Sequence, residues 1–398
     1  MRDRYRDLFA PLVQRECRFL FGAQLISGLG DWAGRLALAV VVFDRSGSPL
    51  WTAAVTVAAL LPWLGPGQLL STFADRFGRV RIMIAADGVR AVLFLLMAVP
   101  LPTPVLLAVA FLAGLCVPPF VSARGAALVD IVEPERYGKA LALFGVASQT
   151  EIVAGYALGG AVIALLGARA ALLANATTFV ISAILLAALR RSAASSRHAG
   201  AAIGLRGVRA GVQVWRRDPI CRRALVLFVG VNAAMVLPEA LVVPYADELG
   251  APPSTVGLLA GTIALGAVIA ISMSPTDDDP VQLLRLAARR GFVLSLATAA
   301  LFVLSVEWLP AVGVFALLAS GSVDAISVPT NQVVGARIPR DGRAAAMSVA
   351  GGVQYGSQTI AIAIGGAVAI VAGSGLVLAI AALVAAAITA WSLSVAPT

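Results

Sequence analysis

The chain has 398 residues, 60% of them hydrophobic and only 13% charged, and a mean hydropathy of +0.91. A soluble domain carries about 25% charged residues to keep its surface in water, so this composition excludes an ordinary soluble enzyme or binding module. The formal net charge of +9 comes from 30 Lys and Arg against 21 Asp and Glu. Where those basic residues fall decides whether they face nucleic acid or a membrane.

An apolar run of about 20 residues crosses a bilayer as a helix. Lipid offers no partner to an open backbone, so helix is the expected form for each such run. In chain order, twelve runs can be placed, at about 19–43, 50–73, 82–100, 103–122, 140–166, 168–189, 223–245, 254–274, 291–308, 309–330, 344–371 and 374–395. The first follows an arginine-rich leader and carries Asp31 and Arg35, so it does not read as a cleavable signal peptide. A charged hinge, "STFADRFGRVR" at 71–81, separates the second from the third. The third holds Asp87 and Arg90, three apart and able to pair near the cytoplasmic surface. The fourth has no charged residue, and Arg124 comes after it. The fifth holds Glu151. Pro310 divides the ninth from the tenth.

With both termini placed inside, only Arg45 and Arg169 fall outside, while Arg35 and Arg90 lie within runs; the remaining 26 of the 30 basic residues are then cytoplasmic. That is the asymmetry the positive-inside rule demands, and it makes the net charge a membrane signature. Charges spread over short loops facing an anionic leaflet do not form a nucleic-acid site. Cys17, Cys116 and Cys221 suggest neither a disulfide framework nor a metal cluster. The lone histidine, His198, sits in the central loop. No G-x-x-x-x-G-K-[ST] phosphate loop occurs, so no cofactor is expected and ATP is not the direct energy source.

The longest polar interruption, 190–222, divides the chain into residues 1–189 and 223–398, six runs in each. "PERYGKALA" at 134–142 and "PRDGRAAA" at 339–346 echo one another after the fourth and tenth runs, as an internal duplication predicts. The hinge "FADRFGRVR" at 73–81 resembles the cytoplasmic loop signature of the major facilitator superfamily. The stretches "LISGLGDWAGRLALAVVVFDRSGSPL" at 25–50, "GYALGG" at 155–160 and "LLANATTFVISAILL" at 172–186 resemble its bacterial drug-efflux branch. The resemblance implies an all-α integral membrane fold of two pseudo-symmetric six-helix bundles. It implies an inner-membrane location and a monomer that exports a small amphipathic molecule, with protons as the expected coupling ion. It also assigns Asp75, Arg76, Gly78 and Arg79 to a latch between the halves. Ser71 stands where the signature has glycine, and Val80 interrupts its basic pair. The matching second-half loop, 274–290, lacks the pattern.

An ionisable group in the apolar region costs about 2.5–3.5 kcal/mol on insertion scales, so it faces a cavity or a partner. Gln24, Ser27, Asp31 and Arg35 share one helical stripe, where Asp31 either couples to a proton or forms a structural pair with Arg35. Glu151 is either a buried proton carrier or a solvated group near the helix end. Superfamily members line their cavity with runs 1, 4, 7 and 10. This adds Asn232, Glu239 and Asp324, and Gln354 and Gln358 share a face of run 11. Gly155, Gly159 and Gly160 provide a smooth face for close helix packing, while Tyr156 replaces a proline of the family's antiporter motif. Trp32, Trp63, Tyr245 and Tyr355 are candidates for stacking a flat substrate. Nothing supports an enzyme: there is no Ser/His arrangement and no His/Asp cluster. A lipid flippase, an importer or an uncoupled facilitator on the same fold is the alternative.

Overall fold

The computed structural model describes residues 9–67, 70, 77–189, 212–213, 215–252, 255–273, 279–307, 311–323, 326, 333, 337 and 340–394. Helices account for nearly all of them, with no strand among the described residues. The chain begins with a 3-10 turn, Ala10–Val13, and continues into α1 (Arg15–Ser46). Gly47, at φ +57°, ends α1, and Pro49 opens α2 (Pro49–Leu60), which tightens at Pro62 into a 3-10 turn. Gly78 turns the chain at φ +80° into α3 (Arg79–Met97), a conformation that a Cβ would strain.

Next come α4 (Thr103–Leu115) and α5 (Val117–Ile131), joined at Cys116 just before Pro118 and Pro119. The long α6 (Pro134–Leu166) starts on a proline, whose missing N–H is harmless there, and is followed by α7 (Ala168–Leu189). The second series is α8 (Pro219–Met235), α9 (Leu237–Glu248), α10 (Val256–Ser272), α11 (Pro280–Glu307), α12 (Val312–Val323), α13 (Arg340–Ala372) and α14 (Ser374–Ser394).

By length and apolar composition, eight segments among the described residues qualify as spans. They are Arg15–Ser46, Thr103–Ile131, Lys139–Leu166, Ala168–Leu189, Pro219–Glu248, Val281–Val306, Val349–Ala372 and Ser374–Ser394. Shorter apolar helices cover Pro49–Leu64, Val256–Ala270 and Val312–Val323. These criteria therefore qualify eight of the twelve runs read from the sequence.

The chain divides into two compact units, Met1–Val42 with Ala58–Ala201, and Phe43–Val57 with Ala202–Thr398. The cut at 201 falls inside the polar 190–222 stretch. Residues 43–57 instead cluster with the second unit: a Cβ on Gly366 of α13 would lie 2.6 Å from the Ala53 Cβ. In the first unit α3 runs along α7 and also packs on α5 and α4. In the second, α11 runs along α14, α10 along α12, and α8 against α13 and α14. The pairings α3–α7 and α11–α14 join the third and sixth runs of their respective halves, as a duplicated topology requires.

Small residues set the closest approaches. A side chain on Gly321 of α12 would collide with the Ile263 carbonyl of α10, and one on Gly266 with the Leu318 carbonyl. Ser322 Oγ donates to the Gly266 carbonyl at 3.2 Å across the same seam. Two carboxylates cap helices: Asp218 accepts from the Ile220 and Cys221 amides at the start of α8, and Glu248 accepts from the Ser374 and Gly375 amides at the start of α14. Asp218 also pairs with Arg337 at 2.7 Å. Burial opposes ionisation of Asp218, but the Arg337 guanidinium and the two amides outweigh it and hold the carboxyl below its ordinary value.

Two outcomes follow from this packing. Gly321→Val should destabilise the second unit by about 1–3 kcal/mol through overpacking, measured by thermal unfolding in detergent, while Gly351→Val, with open space around it, should change little. Asp218→Ala should cost about 1 kcal/mol as a lost cap. Because the folded pKa is depressed, the Asp218 contribution is complete above the unfolded carboxylate value and fades as pH falls through the folded one. The wild-type advantage over Asp218→Ala should therefore shrink in acid, below about pH 4.

Candidate functional site: a buried charge cluster in the first unit

The α1 helix is the spine of the first unit. Gly28 faces α6, where a Cβ would strike the Glu151 carboxylate. Gly155 and Gly159 of α6 meet α1 in return: their Cβ atoms would lie 2.7 Å from Trp32 Cβ and 2.7 Å from Ala33 Cα. On its other side, Gly34 lies against Asn175 of α7 and Phe94 of α3. The lack of side chains at these positions lets polar groups on α1 reach two neighbouring helices.

Two polar clusters result. In the first, Arg90 of α3 reaches Asp31 of α1 at 2.5 Å and faces Asp87, one turn earlier on its own helix, at 3.8 Å. Its guanidinium lies over the Phe179 ring of α7 at 4.0 Å from the centroid. Asp87 is fully buried, with the Ser182 hydroxyl of α7 beside it. Arg35 stands 3.9 Å from Asp31 and over the Trp32 ring at 4.8 Å. In the second cluster, Gln24 Nε2 donates to Glu151 Oε1 at 2.9 Å and to Ser148 Oγ at 3.0 Å. Glu151 is 6% exposed, and Arg124 of α5 and Asp31 lie within its electrostatic range.

The structure revises several expectations. The partner that holds Asp31 most closely is Arg90, not Arg35, because α3 crosses α1 at that level. Asp87 and Arg90 do face one another as local spacing predicts, and both are buried inside the unit. Arg124 lies on the same apolar segment as the uncharged fourth run, one helix break later, and is the cation that approaches Glu151. Tyr245 is wholly buried, bonded to Ser305 Oγ at 2.5 Å and packed on Phe302, so it is not available to stack a ligand. No kink appears at Tyr156: α6 runs through it, and its ring meets Trp32 at 5.3 Å.

Other site residues lie elsewhere. In the second unit, Gln354 of α13 donates to Asn232 of α8 at 3.4 Å. Gln358 is buried, and Glu239 lies in the first turn of α9. Gly160 is buried on α6. Of the hinge set, Arg79 pairs with Asp130 and donates to the Ala126 carbonyl at 2.7 Å, both on α5, and Gly78 makes the turn. Asp75, Arg76 and Asp324 lie outside the described residues, as do His198 and Pro310. Nothing in the sequence points to Asp130 or Ser182. An arginine in an apolar run is the signal for Arg90, but local spacing pairs it only within its own helix.

Apolar helices of spanning length enclosing buried ion pairs define a multi-pass helical membrane protein. Comparison with known proteins then specifies the family. Residues 20–276 match the profile of the Major Facilitator Superfamily, and the chain belongs to it. It is 26% identical over 274 residues to the uncharacterized MFS-type transporter YfiS of Bacillus subtilis (strain 168), covering 66% of this chain and 64% of that one. The match thus spans less than two thirds of that relative's length.

Solved structures share the fold. A bacterial homologue of the iron transporter ferroportin, crystallised in an inward-facing state, aligns with a TM-score of 0.73 at 15% identity, covering 96% of this chain and 99% of that one. The nucleoside transporter NupG, crystallised as a point mutant, aligns with a TM-score of 0.78 at 11% identity, covering 95% of this chain and 99% of that one.

Breaking a buried pair strands the remaining charge at a cost of about 3–5 kcal/mol. Arg90→Gln should therefore lower thermal stability severely, and adding Asp87→Asn should restore part of the loss. Detergent unfolding curves of the single and double variants check this, and identical curves would count against the cluster.

Proposed function

We propose that the protein is a secondary transporter working by alternating access, exporting a small amphipathic or drug-like molecule in exchange for protons across the bacterial inner membrane. The observation that carries this reading is Glu151. It is a carboxylate buried in an apolar helix and held by the neutral amide of Gln24, with Arg124 approaching from a third helix. Asp31, by contrast, already has a guanidinium partner at 2.5 Å. We therefore assign proton carriage to Glu151 and a supporting role to Asp31.

The chemistry is that of the Gln24–Glu151 hydrogen bond. An ionised Glu151 only accepts, and the Gln24 NH2 donates to it. A protonated Glu151 keeps an oxygen that accepts from the Gln24 NH2 but gains an O–H that needs an acceptor. Gln24 can supply one only by turning its carbonyl, otherwise without a partner, toward it. Because this bond joins α1 to α6 on a face of close helix contact, protonation changes the favoured arrangement of those helices. That gives a ligand-free bias between two states. Export, drug-like cargo and membership of the drug-efflux branch rest on the sequence resemblance. The superfamily's loop signature is carried by "FADRFGRVR", and the likeness to the branch by the stretch at 25–50 and the fifth-helix glycines of "GYALGG".

One feature favours the uncoupled alternative, a facilitator or lipid flippase. Every buried charge of the Asp31–Arg90–Asp87 group has an opposite charge beside it, as a purely structural network also would.

Purified protein in detergent, given a panel of lipophilic cations and neutral drugs at pH 5 to 9, should release protons on binding. Glu151→Gln should abolish the release while keeping binding, and Asp31→Asn should weaken it. Binding without proton release in the wild type at every pH would rule out antiport in favour of the facilitator or flippase.

A further inference from the structure

Outside the buried cluster, the second unit holds a cavity of about 660 Å3 where α10, α11 and α12 converge. That volume lies within the roughly 300–1,000 Å3 of small-molecule sites. Its floor is apolar and buried, formed by Leu283, Val323 and Ile326. Its rim includes the exposed Met273 and Val293. Two arginines, Arg289 and Arg290, also line it; both are exposed, and neither forms an ion pair among the described residues. Two acidic residues of the adjoining loop, Asp277 and Asp278, lie outside the described residues. The third, Asp279, accepts from the Val281 amide at the start of α11.

The placement supplies the chemistry. The cavity gathers the C-terminal ends of α10 and α12 and the N-terminal half of α11, so it lies toward one end of the helices. That end carries Arg285, Arg289 and Arg290, and the basic-residue distribution puts it on the cytoplasmic side, where anionic lipids give the leaflet its negative potential. An apolar slot open at a rim of large apolar side chains, with two exposed guanidiniums beside it, matches one acyl chain below and one phosphate above. Guanidinium is the cation best suited to a phosphate, since it can bind two oxygens at once.

We infer that the α10–α11–α12 cavity binds one anionic phospholipid, with an acyl chain in the slot and its phosphate on Arg289 and Arg290. The inference stands apart from the transport reading. The residues that line the cavity all belong to the second unit, and the charged cluster is built from the first.

The test uses the full chain purified in detergent, with lipid binding followed by native mass spectrometry. Phosphatidylglycerol and phosphatidylcholine of identical chains are compared, together with glycerol phosphate as the headgroup alone. Wild type should bind phosphatidylglycerol the more tightly and should not bind glycerol phosphate. Each arginine near an anionic surface contributes about fivefold in affinity. Arg289→Gln with Arg290→Gln should therefore weaken phosphatidylglycerol binding about 30-fold, toward the phosphatidylcholine value. Ala287→Trp, which fills the slot, should lose both lipids. Should that variant not fold, the arginine pair on the exposed face carries the test alone. Equal binding of the two lipids by wild type overturns the proposal. So does unchanged phosphatidylglycerol binding in the arginine variant, or full displacement of the lipid by glycerol phosphate, which would mark a soluble-anion site.

Discussion

A guanidinium buried in an apolar helix is the constraint that organises the first unit. Arg90 is 4% exposed and, in an environment without water, tolerable only if its charge and its N–H groups are matched. The charge is matched from three helices, by Asp31 on α1, Asp87 on α3 itself and the Phe179 ring on α7, while Nε is left without a hydrogen-bond partner. Each contact fixes a level along a helix axis, so together they triangulate α1 against α3 and α7. The glycines of α1 are the necessary counterpart. Larger residues at Gly30 and Gly34 would collide with Asn175, Thr178 and Phe94 and hold α1 too far away for Asp31 to arrive.

The two units treat polarity differently. Buried polar groups of the first unit include Asp87, Arg90 and Glu151, whereas the described buried polar groups of the second are neutral: Thr52, Thr262, Ser295, Thr298, Ser305, Ser320, Gln358, Thr359, Ser374 and Thr389. Several of those hydroxyls donate back to carbonyls of their own helices, as Thr262, Ser305, Ser320 and Thr389 do, which satisfies them at little cost. Neutral groups of this kind pack helices, while charges that need partners on other helices respond to protonation and to movement. A unit built on the second kind of interaction is the one suited to energy coupling, which is why the proposed proton carrier and its supports all come from the first.

Much of the fold is legible because it follows from one-dimensional quantities: apolar length, basic flanks, and proline or glycine at helix ends. Gly78, Pro134 and Pro219 stand at helix starts, a few residues before the apolar runs begin. The site is only partly legible. The stripe Gln24, Ser27, Asp31 and Arg35 follows from helical periodicity, and so do the glycines of "GYALGG". Which partner each charge takes does not follow from it, because that depends on where α3 crosses α1. Local spacing pairs Asp31 with Arg35 and Asp87 with Arg90, and the crossing puts Arg90 on Asp31. Tyr245 fails as a stacking residue for a related reason: periodicity gives a face but not what covers it. The unit boundary at 43–57 is likewise invisible, since it depends on Gly366 admitting Ala53.

Helix ends are held from within each unit. Arg79, in the hinge that resembles the superfamily signature, is paired with Asp130 and with the Ala126 carbonyl inside its own unit. In the second unit, Arg337 is paired with Asp218 at the start of α8. Each unit thus ties one of its helix starts by an ion pair to a residue of the same unit. Arg79 thus stiffens α3 against α5 within the first unit.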